Sequence, residues 1–153
     1  MRWPDIDQVR EIEVVAFPAS AWSTESFWGE LAGVPESRRY WVAEREGHVV
    51  GYVGLRAVAS DADIQTLAVE PGSRRKGVAG ALLATAVDEA RARGCRTLML
   101  EVDADNGPAL ALYEAQRFER LARRASYYGP GRDAVVMRLV LSAPSAPEPG
   151  VTP

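Results

Sequence analysis

Hydrophobic residues recur at helical spacing along the first part of the chain and predict two helices there. The first helix is expected from Asp5 to about Phe17. Its apolar side is formed by Ile6, Val9, Ile12 and Val15 or Ala16. The second helix is expected between Ser23, a residue type favoured at helix N-caps, and Gly33. Residues 1–3 are expected to form the stub of an edge strand, because Pro4 cannot continue a hydrogen-bonded ladder.

The middle of the chain changes to the shorter apolar runs that are typical of strands. These runs are Tyr40–Arg45, Val49–Val58 and Ala62–Val69. A helix is expected from Val78 to about Arg93, because apolar residues return to helical spacing and Gly94 suits a left-handed cap. Thr97–Val102 then forms a nearly continuous apolar run. It predicts a buried strand parallel to Ile64–Val69.

The last part of the chain predicts one more helix and a hairpin. Pro108 fits the first turn of a helix that ends near Gln116. Glu119–Tyr128 and Asp133–Leu141 are expected to pair around the turn at residues 129–131.

The complete order of predicted elements is ααβββαβαββ. It indicates an α/β (α+β) fold with a mixed central sheet and about four helices on its faces. A single domain is expected over residues 1–141. Residues 142–153 hold four prolines among small residues and are expected to be a disordered tail.

The composition narrows the classes of function. The chain has 153 residues and a net charge of −3, so no general affinity for nucleic acid is expected. A single cysteine, Cys95, and a single histidine, His48, predict no metal site. No apolar run reaches the ~18 residues that span a bilayer, and the N-terminus lacks a signal-peptide core. A cytoplasmic protein without a membrane or nucleic-acid partner is therefore expected.

The stretch Gly72–Gly80, between a predicted strand and a predicted helix, has the chemistry of an anion site. A helix N-terminus carries unpaired N–H groups and about half a positive charge, and residues 74–76 add three basic side chains. Phosphate is the most natural ligand. A P-loop is excluded, because Val78-Ala79 stands where that motif needs Lys-Ser/Thr. The dinucleotide fingerprint G-x-G-x-x-G does not fit either, and a solvated basic turn remains the alternative.

A second informative stretch runs from Leu100 to Tyr113. It places Glu101 at the end of a buried strand and Tyr113 on the next helix. A carboxylate can accept a proton from an amine, and a tyrosine can donate one to a leaving group. Each residue also has an ordinary explanation, since such a glutamate is usually an ion-pair partner at the rim and such a tyrosine usually belongs to the core.

These stretches together resemble the GNAT superfamily of N-acetyltransferases. Residues 74–79 fit the Arg/Gln-x-x-Gly-x-Gly/Ala loop with which that superfamily holds the pyrophosphate of acetyl-CoA. Residues 100–113 resemble the L-E-V-x-x-x-N-x-x-A-x-x-L-Y segment of its RimI-like branch, the ribosomal-protein-alanine N-acetyltransferases. Shorter matches are Ala16-Phe17-Pro18, Trp22-Ser23, Arg123-Arg124, Tyr127-Tyr128 and the D-A-x-x-M run Asp133–Met137. The resemblance extends from about Ile6 to Leu139 and implies the acetyltransferase fold.

The resemblance also implies roles for single residues. Glu101 matches the general base of the family and Tyr113 its general acid. The strand residues that match the pantetheine-binding segment precede the pyrophosphate loop, and one asparagine matches a further coenzyme contact. The coenzyme-binding positions implied in this way are Leu67, Ala68, Val69, Arg74, Arg75, Lys76, Gly77, Val78, Ala79, Gly80 and Asn106.

The function implied is acetyl transfer from acetyl-CoA, in a ternary complex, to a protein N-terminal amine, specifically the N-terminal alanine of a small-subunit ribosomal protein. One carboxylate is adequate for that acceptor, because an α-amine has a pKa of about 7.7–8.0 against about 10.4 for lysine. Acetylation of lysine or of a small-molecule amine is the alternative enzyme function. A non-catalytic acyl-CoA sensor would keep the basic loop without depending on Glu101 and Tyr113.

Two departures from the family pattern affect these expectations. Three extra residues, 19–21, precede Trp22 in the segment that shapes the acceptor groove. The family glycine before Phe118 is Arg117 here, and a left-handed conformation costs such a residue about 1 kcal/mol.

Overall fold

The computed structural model describes residues 1–141 and shows one mixed sheet with helices on both faces. The helices are α1 (Ile6–Ala16), α2 (Thr24–Ala32), α3 (Val78–Ala92) and α4 (Gly107–Ala115). The strands are β1 (Arg38–Arg45), β2 (His48–Val58), β3 (Asp61–Val69), β4 (Thr97–Asp103), β5 (Glu119–Arg124) and β6 (Ala134–Val140). Their order confirms the α/β (α+β) fold class predicted from the sequence.

The strands lie in the order β1-β2-β3-β4-β6-β5, and each neighbouring pair except β3 and β4 is antiparallel. β3 and β4 are parallel, as the sequence predicted, and residues 61–63 pair with residues 97–99. A parallel pair needs a long crossover, which α3 supplies. The carboxyl ends of both central strands therefore point to the same edge of the sheet.

Residues 1–3 form no strand, so the predicted edge strand there is wrong. Trp3–Asp5 is a short 3₁₀ helix with Pro4 in its first turn, where the missing N–H of proline is tolerated. The Met1 ammonium donates to the Tyr40 carbonyl at 2.9 Å, and this contact holds the segment beside β1.

The first two helices lie where the apolar spacing placed them. Of the two alternatives for the end of the α1 stripe, Ala16 packs against the core and Val15 is exposed. The Ser23 hydroxyl accepts from the Ser26 N–H at 3.1 Å, so the predicted N-cap of α2 is confirmed.

Alternate residues of the sheet form a core on each face. In β2, Val53 and Leu55 belong to the cluster that α3 covers, whereas Tyr52 belongs to the cluster that α1 and α2 cover. Gly54 leaves room for the Tyr40 ring, which would collide with any Cβ at that position. β2 and its neighbour β3 are thus held from both sides.

The C-terminal hairpin is shorter than predicted. β5 ends at Arg124 instead of continuing to Tyr128, because Ser126 has a positive φ of 54° and turns the chain. Tyr127 therefore lies in the connection to β6. β5 is exposed along its length, and its Arg and Glu side chains discourage pairing with another chain at this edge.

The predicted tail, residues 142–153, lies outside the described residues. Within residues 1–141, no helix is both long and apolar enough to cross a membrane.

Candidate active site

A cleft opens where β3 and β4 separate. Their pairing ends after three residue pairs, and beyond it the two strands form opposite walls. Residues 64–67 line one wall and residues 100–103 the other, around a volume of about 480 Å³. Because β4 does not pair with this part of β3, the β3 backbone on that side is available to a ligand.

A bulge in β3 accompanies the separation. Gly54 of β2 pairs with Thr66, but the next residue, Leu55, pairs with Ile64. Gln65 is therefore an extra residue in β3. A bulge bends a strand and increases its twist, which accounts for the divergence of β3 from β4 at this point.

Glu101 lies on β4 and lines the cleft. Its side chain is 27% exposed, and its carboxylate is 3.1 Å from Nη1 of Arg124, which is 58% exposed. A hydrogen bond to this carboxylate raises the pKa of Tyr127 above its ordinary value. The candidate base is thus held from one side by an exposed cation and a phenol.

Tyr113 lies on α4, the helix that follows β4, and lines the same cleft. Its ring packs edge-on against Phe118 with the centroids 5.7 Å apart. The residue is only 7% exposed. Burial, the largest cause, raises the pKa of Tyr113 above its ordinary value, and so does the nearby Tyr128. The phenol therefore stays protonated at neutral pH and can act as a donor.

A second group of polar side chains forms the rim beside Glu101. Arg132 donates to Asp103 at 2.7 Å and lies over the ring of Tyr128 at 5.9 Å. All three residues line the cleft. Burial, followed by the Glu101 charge, raises the pKa of Tyr128 to about 12. Tyr128 therefore remains a neutral hydrogen-bonding group at the mouth of the site.

The basic loop lies at the carboxyl end of β3, beyond the residues that line the cleft. Arg74, Arg75 and Lys76 are exposed, and Nε of Arg74 donates to the Val69 carbonyl at 3.1 Å. Within residues 1–141, the backbone N–H groups of residues 75–80 have no hydrogen-bond acceptor. The loop thus combines free donors, exposed positive charge and a helix N-terminus.

Glycine stands at two positions of this loop, 77 and 80, for different physical reasons. Gly77 has a φ of 79°, in the left-handed region that favours glycine. Gly80 lies inside the first turn of α3, and a Cβ there would meet nothing within 4 Å. Glycine costs a helix roughly 0.5–1 kcal/mol relative to alanine. Packing within the protein therefore does not explain Gly80, whereas close approach of a ligand would.

The remaining predicted coenzyme positions fall into two groups. Leu67 and Asn106 line the cleft together with Glu101 and Tyr113. Ala68 and Val69 have buried side chains on opposite faces of the sheet, so only their backbone can meet a ligand. The Asn106 side chain is already engaged, because it accepts from the Ala109 N–H at 3.2 Å and caps α4.

A second groove of about 590 Å³ lies between α1 and the first turn after β3. None of the predicted catalytic or coenzyme-binding residues lines it. The cleft between β3 and β4 is therefore where the predicted chemistry converges.

The family model described as the acetyltransferase (GNAT) family matches residues 6–118. The chain belongs to the GNAT acetyltransferase family. An Escherichia coli (strain K12) protein, ribosomal protein bS18-alanine N-acetyltransferase, is 35% identical over 132 residues, which are 83% of this chain and 84% of that protein. The protein is accordingly an N-acetyltransferase.

Solved structures show the same fold. The crystal structure of the ribosomal-protein-S18-alanine N-acetyltransferase from Escherichia coli has a TM-score of 0.83 and 29% identity, and covers 96% of this chain and 94% of that one. The NatC complex bound to Gag peptide and CoA has a TM-score of 0.80 and 25% identity, and covers 90% and 91%. The similarity thus extends over nearly the whole acetyltransferase.

The cleft of the acetyltransferase also contains an acidic residue that the sequence did not indicate. Glu13 of α1 lines it and is 1% exposed. Burial, the largest cause, raises the pKa of this carboxyl to about 7. One signal was present in the sequence: Glu13 follows Val9 by four residues and so lies on the apolar side of the helix, where a charged residue is rare.

Proposed function

We propose that this N-acetyltransferase transfers the acetyl group of acetyl-CoA to the N-terminal α-amine of a protein, with the N-terminal alanine of a ribosomal protein as the specific acceptor. The observation that carries the proposal is the shared cleft. A carboxylate, Glu101, and a protonated phenol, Tyr113, line one space between two strands that have separated. The relatives' names support the acceptor.

The part of the site that binds the acetyl donor, acetyl-CoA, is called the donor end, and it is proposed to run from the basic loop along β3. The free N–H groups of residues 75–80 and the basic side chains of residues 74–76 suit a pyrophosphate. Beyond the loop, the unpaired edge of β3 at residues 67–69 can hydrogen-bond the amides of an extended pantetheine arm, as a neighbouring strand would. Asn106 is proposed as a further contact. The NatC complex, which has a similar fold, is bound to CoA, and this supports CoA as the coenzyme.

Glu101 is proposed to receive the acceptor amine. Because its partner Arg124 is exposed, the ion pair between them is weak and can be exchanged for a substrate ammonium. The carboxylate then takes one proton from that ammonium, directly or through a water. An α-amine, with a pKa of about 7.7–8.0, gives up this proton far more readily than lysine.

Tyr113 is proposed to complete the transfer. The amine nitrogen forms a bond to the acetyl carbon, and the bond from that carbon to sulfur breaks. The departing thiolate takes the phenolic proton, which burial keeps on Tyr113 at neutral pH, and the second proton lost by the acceptor nitrogen as the amide forms restores the phenol. Acetyl-CoA and acceptor are both bound during this step, so no acetylated side chain of the enzyme is needed.

A ribosomal acceptor also defines the surroundings of the reaction. Ribosomal proteins are made in the cytoplasm, and the proposed partner is the protein chain rather than nucleic acid or membrane. Asp105, an exposed acidic residue at the cleft, suits a basic peptide.

The acceptor is tested with peptides that differ only in their first residue, with free lysine and small amines as further substrates. The expected result is efficient acetylation of the α-amine of an alanine-first peptide. Acetylation of lysine side chains in preference to α-amines would contradict the proposed acceptor and favour the lysine alternative.

The catalytic assignment is tested by Glu101→Gln and Tyr113→Phe. Each is expected to lower kcat by about 10²-fold or more, with the KM of acetyl-CoA little changed, because general acid–base groups contribute about 10²–10⁴. Glu119→Gln is the matched control, since Glu119 also pairs with an arginine of the sheet, at 2.7 Å, but lies outside the cleft. Normal turnover of both variants would contradict the catalytic roles of Glu101 and Tyr113, whereas a wild type that binds acetyl-CoA but acetylates no amine would support the binding module.

A further inference from the structure

Glu13 is 1% exposed and accepts a hydrogen bond from Tyr52, a member of the apolar cluster that also contains Val9 and Phe27. Within residues 1–141 it makes no ion pair with lysine, arginine or histidine. A buried carboxylate without a cation lowers stability relative to an apolar side chain of similar size. The presence of a glutamate at this position is therefore not explained by the stability of the core. The explanation must come from the contacts that its carboxylate makes.

The Glu13 carboxylate joins three separate parts of the fold. The Tyr52 hydroxyl on β2 and the Thr66 hydroxyl on β3 both donate to Oε2, the latter at 3.2 Å. The Trp22 N–H, in the segment between α1 and α2, donates to Oε1 at 3.3 Å. Thr66 is the residue that follows the bulge at Gln65. One side chain thus connects α1, the bulged part of β3 and the segment 17–23.

The peptide backbone of Trp22 is held from both sides by α1. Glu13 accepts from its N–H, and Nε of Arg10 donates to its carbonyl at 3.2 Å. The Trp22 ring in turn packs on Phe27, with centroids 5.3 Å apart. Phe17, Ser20 and Trp22 of this segment line the same cleft as Glu101. The position of the segment therefore sets how wide the cleft is beside the site where an acceptor amine meets Glu101.

We propose that Glu13 is a positioning residue for the acceptor. Together with Arg10 it clamps the Trp22 backbone, and so fixes the cleft wall formed by residues 17–23 at a set distance from the bulge of β3. A small first residue of the acceptor fits beside this wall. This inference rests on the proposed function, because it assigns a wall of that same site. It concerns the acceptor end alone, since no hydrogen bond joins the basic loop to Glu13 or Trp22.

The test measures kcat and both Michaelis constants for Glu13→Met, Glu13→Gln and Arg10→Met, using two peptides that differ only in having alanine or methionine first. Glu13→Met and Arg10→Met are expected to raise the KM of the alanine-first peptide about tenfold, because each releases one side of the clamp. The KM of acetyl-CoA is expected to stay within about twofold, and the preference for alanine over methionine is expected to shrink.

Glu13→Gln is the conservative variant. Its amide oxygen can still accept from the Trp22 N–H, and its NH₂ group can donate to the Tyr52 and Thr66 hydroxyls. It is therefore expected to keep the acceptor KM within about twofold of the wild type. Arg10 is only half-buried, so Arg10→Met tests the clamp even if Glu13→Met does not fold. Glu11→Gln, at an exposed position of the same helix, is the control.

Three outcomes would overturn the inference. They are an unchanged acceptor KM with only a lower melting temperature, an equal rise in both Michaelis constants, or a loss in Glu13→Gln as large as that in Glu13→Met. If the wild type does not acetylate the alanine-first peptide, the proposed acceptor is contradicted, and this result is distinguishable because it is obtained without any variant. In that case the same variants are compared on the amine that the wild type does acetylate.

Discussion

At the scale of single residues, the buried charge of Glu13 makes the stability of the fold depend on pH. Burial raises the pKa of its carboxyl from 4.5 to about 7, so the native state holds this proton more tightly than the unfolded chain. The resulting stabilisation is fully present below about pH 4.5 and is lost as the pH rises through about 7. A shift of this size corresponds to about 3 kcal/mol.

Glu13→Gln removes this titration. The free energy of unfolding of the variant, relative to the wild type, is therefore expected to rise by up to about 3 kcal/mol between about pH 4.5 and pH 8. Urea unfolding at the two pH values measures the change. Glu11→Gln, at an exposed position of α1, is expected to show no such slope. An equal slope in both variants would mean that Glu13 titrates as an exposed carboxyl does.

The sequence predicted residues of the site where they belong to a recognisable segment. Glu101 and Tyr113 are predicted because residues 100–113 resemble a segment of the GNAT superfamily, and the structure places both on one cleft. Glu13 was missed, although it lies on the same cleft. Its partner Thr66 is 53 residues away, and no local pattern brings those two side chains together.

At the scale of secondary-structure elements, the ends of α3 and α4 differ by one side chain. Gly94 follows α3 with a φ of 75°, and Arg117 follows α4 with a φ of 71°. A left-handed conformation costs glycine nothing but costs arginine about 1–2 kcal/mol. Part of that difference is offset because glycine has more freedom in the unfolded chain.

Arg117→Gly is therefore expected to stabilise the protein by about 0.5–1 kcal/mol. For a chain of this length the melting temperature should rise by about 2–4 °C per kcal/mol. Gly94→Ala, which creates the same strain at the end of α3, should move it in the opposite direction. Thermal unfolding followed by circular dichroism measures both. A lower melting temperature for Arg117→Gly would show that the guanidinium stabilises the fold by more than its backbone conformation costs.

Apolar spacing, caps and turn residues predicted most elements, and the failures share a physical reason. The sequence predicted the parallel pairing of β3 with β4 but not its end after three residue pairs. Gln65, the bulge residue, is neither glycine nor proline and carries no turn signal. Likewise, the turn residues predict a turn at residues 129–131, and they do not mark Ser126 as the residue whose positive φ ends β5. Backbone departures imposed by tertiary contacts leave little trace in a local pattern.

At the scale of the whole molecule, the two ends of the proposed site are built from different elements. The donor end is the loop before α3 and the edge of β3, whereas the acceptor end is formed by α1, the segment 17–23 and the rim after β4. Arg10 contacts Trp22, and no hydrogen bond or ion pair links it to the basic loop. Binding of coenzyme and of acceptor should therefore respond to separate substitutions.

Reversing charge in the loop tests the donor end. Arg75→Glu combined with Lys76→Glu is expected to raise the KM of acetyl-CoA tenfold or more, because two charge-assisted contacts worth about 1.5–3 kcal/mol each become repulsive. The KM of the acceptor should stay nearly constant. Arg91→Glu combined with Arg96→Glu changes the net charge equally at exposed positions away from the loop, and it is expected to leave both constants unchanged. A similar loss in that control would indicate only a long-range effect of net charge.

Combining the loop reversal with Arg10→Met then decides whether the two ends are independent. Substitutions without shared contacts usually add within about 0.3–0.5 kcal/mol. The combined variant should therefore show the acetyl-CoA constant of the loop reversal and the acceptor constant of Arg10→Met, each within about twofold, by the same steady-state measurements. If loss at the loop instead worsened acceptor binding further, the coenzyme itself would form part of the acceptor wall. The clamp on Trp22 and the basic loop would then act on one shared surface in the cleft, and each substrate would strengthen binding of the other by the same factor.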